Sequence, residues 1–217
     1  MSNSFLRADP YLNSSSISYN AATSKYVVTF AGTAIETTVT DKAAVAAAWV
    51  ADITSLYGDA PAVVGLDVEW RPHQIKSMSN KSATLQLCIA DKCLILQLFY
   101  MDEVPISIRD FLMNPNFTFV GIEVADDARK LSAEYGLSCA RCGDIRDAAK
   151  LRWPGRFSRP GLKDLAKEIC GMAMKKPRHV CMSNWEIRVL SEAQIEYACI
   201  DAFASYRIGH KLFIEKA

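Results

Sequence analysis

A chain of 217 residues, half of them hydrophobic and 23% charged, has the size and balance of one α/β domain with a modest extension and can bury a sizeable core. Its net charge of +1 gives no sign of a polyanion binder at the level of the whole chain, and the longest apolar run, nine residues at 43–51, is too short to span a bilayer. Residues 1–20 are polar and carry no signal-like apolar run, so the seven cysteines are expected as reduced thiols of an intracellular protein of the nucleus or cytoplasm, not as a secreted disulfide framework.

In chain order, residues 1–23 are rich in Ser and Asn and are expected to be a loosely ordered lead-in, with a single domain following over 24–217. Lys25–Val39 alternates around Gly32 and predicts a hairpin. Thr40 and Asp41 are N-cap types before an Ala-rich helix over 42–56, which Gly58 and Pro61 end. Ala62–Glu69 is an apolar run that turns acidic, a buried strand with chemistry at its exit. Two more strands follow at 83–90 and 93–98, then a short helix at 106–113, a strand at 117–122 and a helix at 125–135 closed by Gly136. Short helices are expected at 144–151 and 162–170, separated by a Pro/Gly/Arg loop, and 172–184 reads as a basic loop. Ser191 caps a long last helix running to about Phe213. Strands interleaved with helices in this order predict a mixed sheet with helices packed on it.

Charge is unevenly placed. Residues 141–180 hold eleven Lys and Arg against four acids, a local net of +7, which leaves about −6 for the remainder. A basic segment beside an acidic remainder suits a phosphate-gripping edge near a carboxylate site, and it equally suits a solvated basic face.

Three acidic signals stand out. Asp67 and Glu69 are two apart on a strand, so their side chains share one face. Carboxylates that close repel unless a cation lies between them, and hard divalent ions take oxygen ligands; a strand end reaching solvent is the plainer account. Asp127 falls in a first helical turn, where the helix dipole favours an acid, and position alone does not separate it from Asp126 or Glu123. Tyr197 and Asp201 are one turn apart on the last helix, so they project together. Asp201 has Ala198, Ile200, Ala202 and Phe203 around it in sequence, and a carboxylate on an apolar face is costly unless paired or bound to metal. Cys139 and Cys142 form a CxxC without a second ligand pair at zinc spacing, and His73, His179 and His210 are scattered.

With VVGLDVEW at 63–70, FVGIEVADDARKL at 119–131 and MSNWEIRVLSEAQIEYACIDA at 182–202, the chain resembles the DEDDy branch of the DnaQ-like 3′–5′ exonucleases, of the kind seen in the Werner syndrome protein exonuclease domain and its plant relatives. The resemblance runs from about Val63 to Leu212. It implies an RNase H-like fold and hydrolysis of phosphodiester bonds at a free 3′ end. It also implies two Mg²⁺ or Mn²⁺ ions held by Asp67, Glu69, Asp127 and Asp201, with Tyr197 positioning the attacking water. Asp127 is selected over Asp126 because the family spacing places the acid four residues before Leu131. Trp70 is a candidate for stacking on a terminal base or for packing the strand end, and Arg156, Arg159, Lys163, Lys175 and Lys176 are candidates for gripping the nucleic-acid backbone. The competing class is a catalytically silent nucleic-acid- or protein-binding module of the same fold. The N-terminal hairpin and the Ala-rich helix are candidate contacts for a homo-oligomer, and a protein partner in DNA repair or a small-RNA pathway fits the same resemblance.

Overall fold

The computed structural model describes residues 14–73, 75 and 78–215. Eight strands form one mixed sheet: β1 (Ser15–Asn20), β2 (Lys25–Phe30), β3 (Thr33–Thr40), β4 (Ala62–Trp70), β5 (Ser82–Ile89), β6 (Lys92–Leu96), β7 (Phe117–Gly121) and β8 (Cys142–Asp144). Their order across the sheet is β1-β2-β3-β6-β5-β4-β7-β8. Hairpins make the antiparallel pairs β1/β2, β2/β3, β4/β5 and β5/β6, whereas β3/β6, β4/β7 and β7/β8 run parallel. The helices are α1 (Ala43–Tyr57), α2 (Ile106–Met113), α3 (Val124–Tyr135), α4 (Ile145–Arg152), α5 (Leu162–Cys170), α6 (Arg178–Cys181) and α7 (Glu192–Gly209). This is the mixed, helix-flanked α/β architecture of the RNase H-like fold that the sequence led us to expect.

The sheet is covered on both faces, so its central strands are apolar on both sides. On one face, Ala46, Trp49 and Ile53 of α1 and Phe111 and Leu112 of α2 pack on Leu66, Val68, Leu85, Leu87 and Phe119. On the other, α7 lies over Val63, Val120, Phe30 and Ile35, with Leu165 of α5 against it. Thirteen of the eighteen residues of α7 are buried. A helix buried over most of its circumference carries no clean apolar stripe, which is why its sequence periodicity could not say which way Asp201 points.

Alternation along β4 decides what faces α7. Leu66 and Val68 belong to the α1 side, so Gly65, Asp67 and Glu69 turn toward α7. Gly65 permits the close approach: a Cβ there would lie 2.0 Å from the Ala202 carbonyl oxygen and 2.7 Å from the Tyr206 nitrogen. The helix therefore sits against the strand two residues before the first acid.

Several boundaries differ from expectation. The expected loose lead-in over 1–23 contains β1, whose Ile17 and Tyr19 alternate and whose six residues pair with β2. Residues 1–13 of that lead-in lie outside the described residues. The third parallel strand β8 is only three residues long and its pairing with β7, not its composition, makes it a strand. The basic loop over 172–184 contains the single turn α6, and the last helix ends at Gly209 in a π-type turn over His210–Ile214. All seven cysteines are free thiols.

Candidate active site

β4 and α7 bring together the first and third acidic signals. One carboxylate oxygen from each of Asp67, Glu69 and Asp201 falls within a group spanning no more than 4.8 Å. Asp201 is 3% exposed, and the Oδ2 of Asp67 is buried with no hydrogen-bond partner. Hard divalent cations take carboxylate oxygens, so an unpartnered buried carboxylate oxygen among two other acids fits a divalent metal.

The electrostatics agree with the crowding. Burial, and then the charges of Asp201 and Asp127, hold the Asp67 carboxyl well above the usual range. Burial and the neighbouring Asp67 and Asp201 push Glu69 up to about 10. Burial raises Asp201 too, opposed by the Lys176 ammonium and by a hydrogen bond from the Tyr197 hydroxyl. Tyr197 is itself raised by burial and by Asp201. Burial and mutual repulsion both favour the neutral forms of these clustered acids.

Asp127 lies outside the 4.8 Å group, yet its charge raises Asp67, so it flanks the cluster. The three acids of that turn differ in their partners. Glu123 occupies a left-handed conformation with φ of 55° ahead of α3; its N–H donates to Asp144 at 2.6 Å and its carboxylate pairs with Arg146 at 2.7 Å. Asp126 is exposed and pairs with Arg129. Asp127 alone turns inward, where burial and then the charges of Asp126 and Glu123 push it up to about 7.

Tyr197 is fixed from below. Trp185 is buried with its ring centroid 6.0 Å from that of Tyr197, and its Nε1 donates to the Cys181 carbonyl at 3.2 Å. Ser191 and Gln194 form a capping box at the start of α7. The Gln194 amide reaches on to Ser183 and the Asn184 carbonyl at 3.0 and 3.1 Å. The Ser-Asn-Trp segment is thereby tied to the helix that carries Tyr197 and Asp201.

The expected phosphate-gripping residues separate. Lys163 and Lys175, joined by Lys167 and Asp164, line one cavity. Arg156 is paired with Glu168 at 3.1 Å and sits near the Trp153 and Phe157 rings. Arg159 lies close enough to Glu123 to hold its carboxyl down, after the larger effect of Arg146. Trp70 is half-buried at the exit of β4, with Lys130 Nζ 5.4 Å from its ring. Lys176 points inward, its Nζ 2.6 Å from Asp201. Sequence spacing carried no signal for that contact, which crosses from a loop to a helix 25 residues on.

Fold and carboxylate cluster together define an RNase H-like scaffold with a seat for a divalent cation. The chain belongs to the 3′–5′ exonuclease family, whose model matches residues 37–215. Among its relatives, a 3′–5′ exonuclease of Arabidopsis thaliana is 33% identical over 149 residues, covering 68% of this chain and 51% of that protein. The bifunctional 3′–5′ exonuclease/ATP-dependent helicase WRN of Mus musculus is 29% identical over 153 residues, covering 69% of this chain and 11% of the larger protein. The chain thus spans about half or less of the curated relatives it matches. Escherichia coli RNase D shares the fold with a TM-score of 0.68 at 17% identity, over 82% of this chain and 44% of that one. The catalytic core of RRP6 from Trypanosoma brucei does so with a TM-score of 0.60 at 18% identity, over 81% and 46%.

Proposed function

We propose that the protein is a divalent-metal-dependent 3′–5′ exonuclease that removes nucleoside 5′-monophosphates from a free 3′ end of single-stranded or 3′-recessed DNA or RNA. The observation that carries this reading is the convergence of Asp67, Glu69 and Asp201 within 4.8 Å on a scaffold whose family is 3′–5′ exonuclease.

A bound pair of Mg²⁺ or Mn²⁺ ions would supply Lewis-acid polarisation of the phosphodiester and a water of lowered pKa. The chain's own residues do the rest. Asp67, Glu69 and Asp201 would supply the ligand oxygens, with Asp127 completing the set from α3. Tyr197, one helical turn before Asp201, orients the attacking water for in-line displacement. The lysine cavity formed by Lys163, Lys167 and Lys175 takes backbone phosphates, supported by Arg156 and Arg159, and makes activity fall with salt. Trp70, at the exit of β4, packs with the core on the α1 side of the sheet and serves the strand end.

The test is a digestion of matched 5′-labelled DNA and RNA oligonucleotides with Mg²⁺, with Mn²⁺ and with chelator. Stepwise shortening from the 3′ end, dependent on metal and lost in Asp67→Ala and Asp201→Ala, is the expected result. Intact substrate under every metal condition, with the fold preserved, would leave a binding module of the same fold.

A further inference from the structure

Beside the three acids sits the ammonium of Lys176. Lys176 Nζ is 2.6 Å from Asp201 Oδ2 and 5.5 Å from the centroid of the Tyr197 ring. The ammonium is therefore lodged against two residues of α7 that are one turn apart. The Asp201 side chain is 4% exposed and that of Lys176 33%, so the carboxylate is enclosed and the lysine reaches it from the solvent side. The same positive charge acts on Asp67 and Glu69. Asp67 Oδ2 meanwhile has no hydrogen-bond partner, so one ammonium serves a cluster that three carboxylates build.

A divalent ion taking an Asp201 oxygen would sit about 2.0–2.6 Å from it. With the lysine bound to the same carboxylate, the two cations would stand within about 5 Å of each other in a half-enclosed site, where repulsion is poorly screened. The carboxylate can serve one of them well. Resting on the metal-site reading above, we propose that Lys176 is a built-in counter-ion of that site: it holds Asp201 in the metal-free protein and is displaced when a divalent cation binds. Lys176 is thus a positioning residue that acts through Asp201. It keeps the acid cluster foldable without metal, and its release sets how tightly metal is taken up. The loop that carries it also carries Lys175, which lines the lysine cavity, so a displaced Lys176 joins the positive face on which a nucleic-acid backbone would lie.

The experiment is a calorimetric Mn²⁺ titration in the absence of nucleic acid, on the wild type, Lys176→Met and Lys175→Met. Lys176→Met should bind Mn²⁺ about tenfold tighter or more, while loss of the adjacent exposed Lys175 should change affinity by less than about twofold. In the wild type, the ¹⁵N resonance of the Lys176 ammonium should be protected from solvent exchange without metal and lose that protection at Mg²⁺ saturation. This second readout needs no variant to fold. Mn²⁺ affinity equal to or weaker than wild type in Lys176→Met, or an ammonium still protected at saturation, overturns the counter-ion role alone. Failure of the wild type and both variants to bind Mn²⁺ removes the metal-site reading and the counter-ion role with it.

Discussion

Replacing Asp67 by Asn should make the metal-free protein more stable and, in the same stroke, deaf to metal. Asn keeps the shape of the side chain and removes its charge from a point where Asp201 and Glu69 oxygens lie within 4.8 Å. Glu69, with its pKa raised to about 10, is protonated near pH 8, so the repulsion that matters is with Asp201. Two unit charges about 4.8 Å apart repel by about 3 kcal/mol at an effective dielectric constant of about 20. The wild type bears that cost either as repulsion or as the work of keeping Asp67 protonated, and Lys176 offsets part of it. A net gain of about 2 kcal/mol for Asp67→Asn corresponds to a rise in Tm of about 4–8 °C for a chain of this size. Saturating Mn²⁺ should in turn stabilise the wild type by about 2.7 kcal/mol at a hundredfold excess over Kd and leave Asp67→Asn unmoved. Thermal melts with chelator and with Mn²⁺ read both effects. A variant that melts below wild type without metal, or that still responds fully to Mn²⁺, would refute the claim that these acids are strained against one another for the sake of a cation.

Asp201→Asn should behave oppositely in the absence of metal: it strands the Lys176 ammonium, and chelator-treated protein should lose about 1–3 kcal/mol, seen as a lower midpoint in urea. Gly65→Ala should lower stability by about 3 kcal/mol or more and weaken Mn²⁺ binding, because its Cβ would meet the Ala202 carbonyl at 2.0 Å and push α7, with Asp201, away from β4; calorimetry and denaturant melts check both. Asp127 and Glu69 hold their protons more firmly folded, at about 7 and about 10, than at their ordinary values of 3.8 and 4.5. Their contribution is therefore complete below the ordinary values and is lost as pH rises through about 7 and then toward about 10. Chelator-treated protein should melt progressively lower from pH 5 to pH 9, and saturating Mn²⁺ should flatten that decline.

Much of this site was visible in the residues because strands and caps leave local signatures. Alternation along β4 put Asp67 and Glu69 on one face, and Ser191 with Gln194 announced the start of α7. What sequence could not supply was direction and distance. An amphipathic helix would have left Asp201 facing solvent; α7 is mostly buried, and only packing shows it. Position alone left Asp127 level with Asp126 and Glu123, and only the family spacing chose it; in the structure Asp126 pairs with Arg129 and Glu123 with Arg146. Lys176 read as one more member of a basic loop, because the partner that turns it inward is on another element. Short strands were lost for a related reason: Cys142–Asp144 is held by its neighbour β7 and has too few residues to show alternation, while β1 was obscured by its Ser and Asn content.

The near-complete enclosure of α7 also bears on how the protein loses its shape. Amides on a segment wrapped by sheet and helices exchange with solvent only when the whole domain opens. Asp201, one of the clustered acids, and Tyr197 one turn before it thus ride on the part that lets go last, and fraying at the edge strand or the surface loops can proceed without scattering the acids.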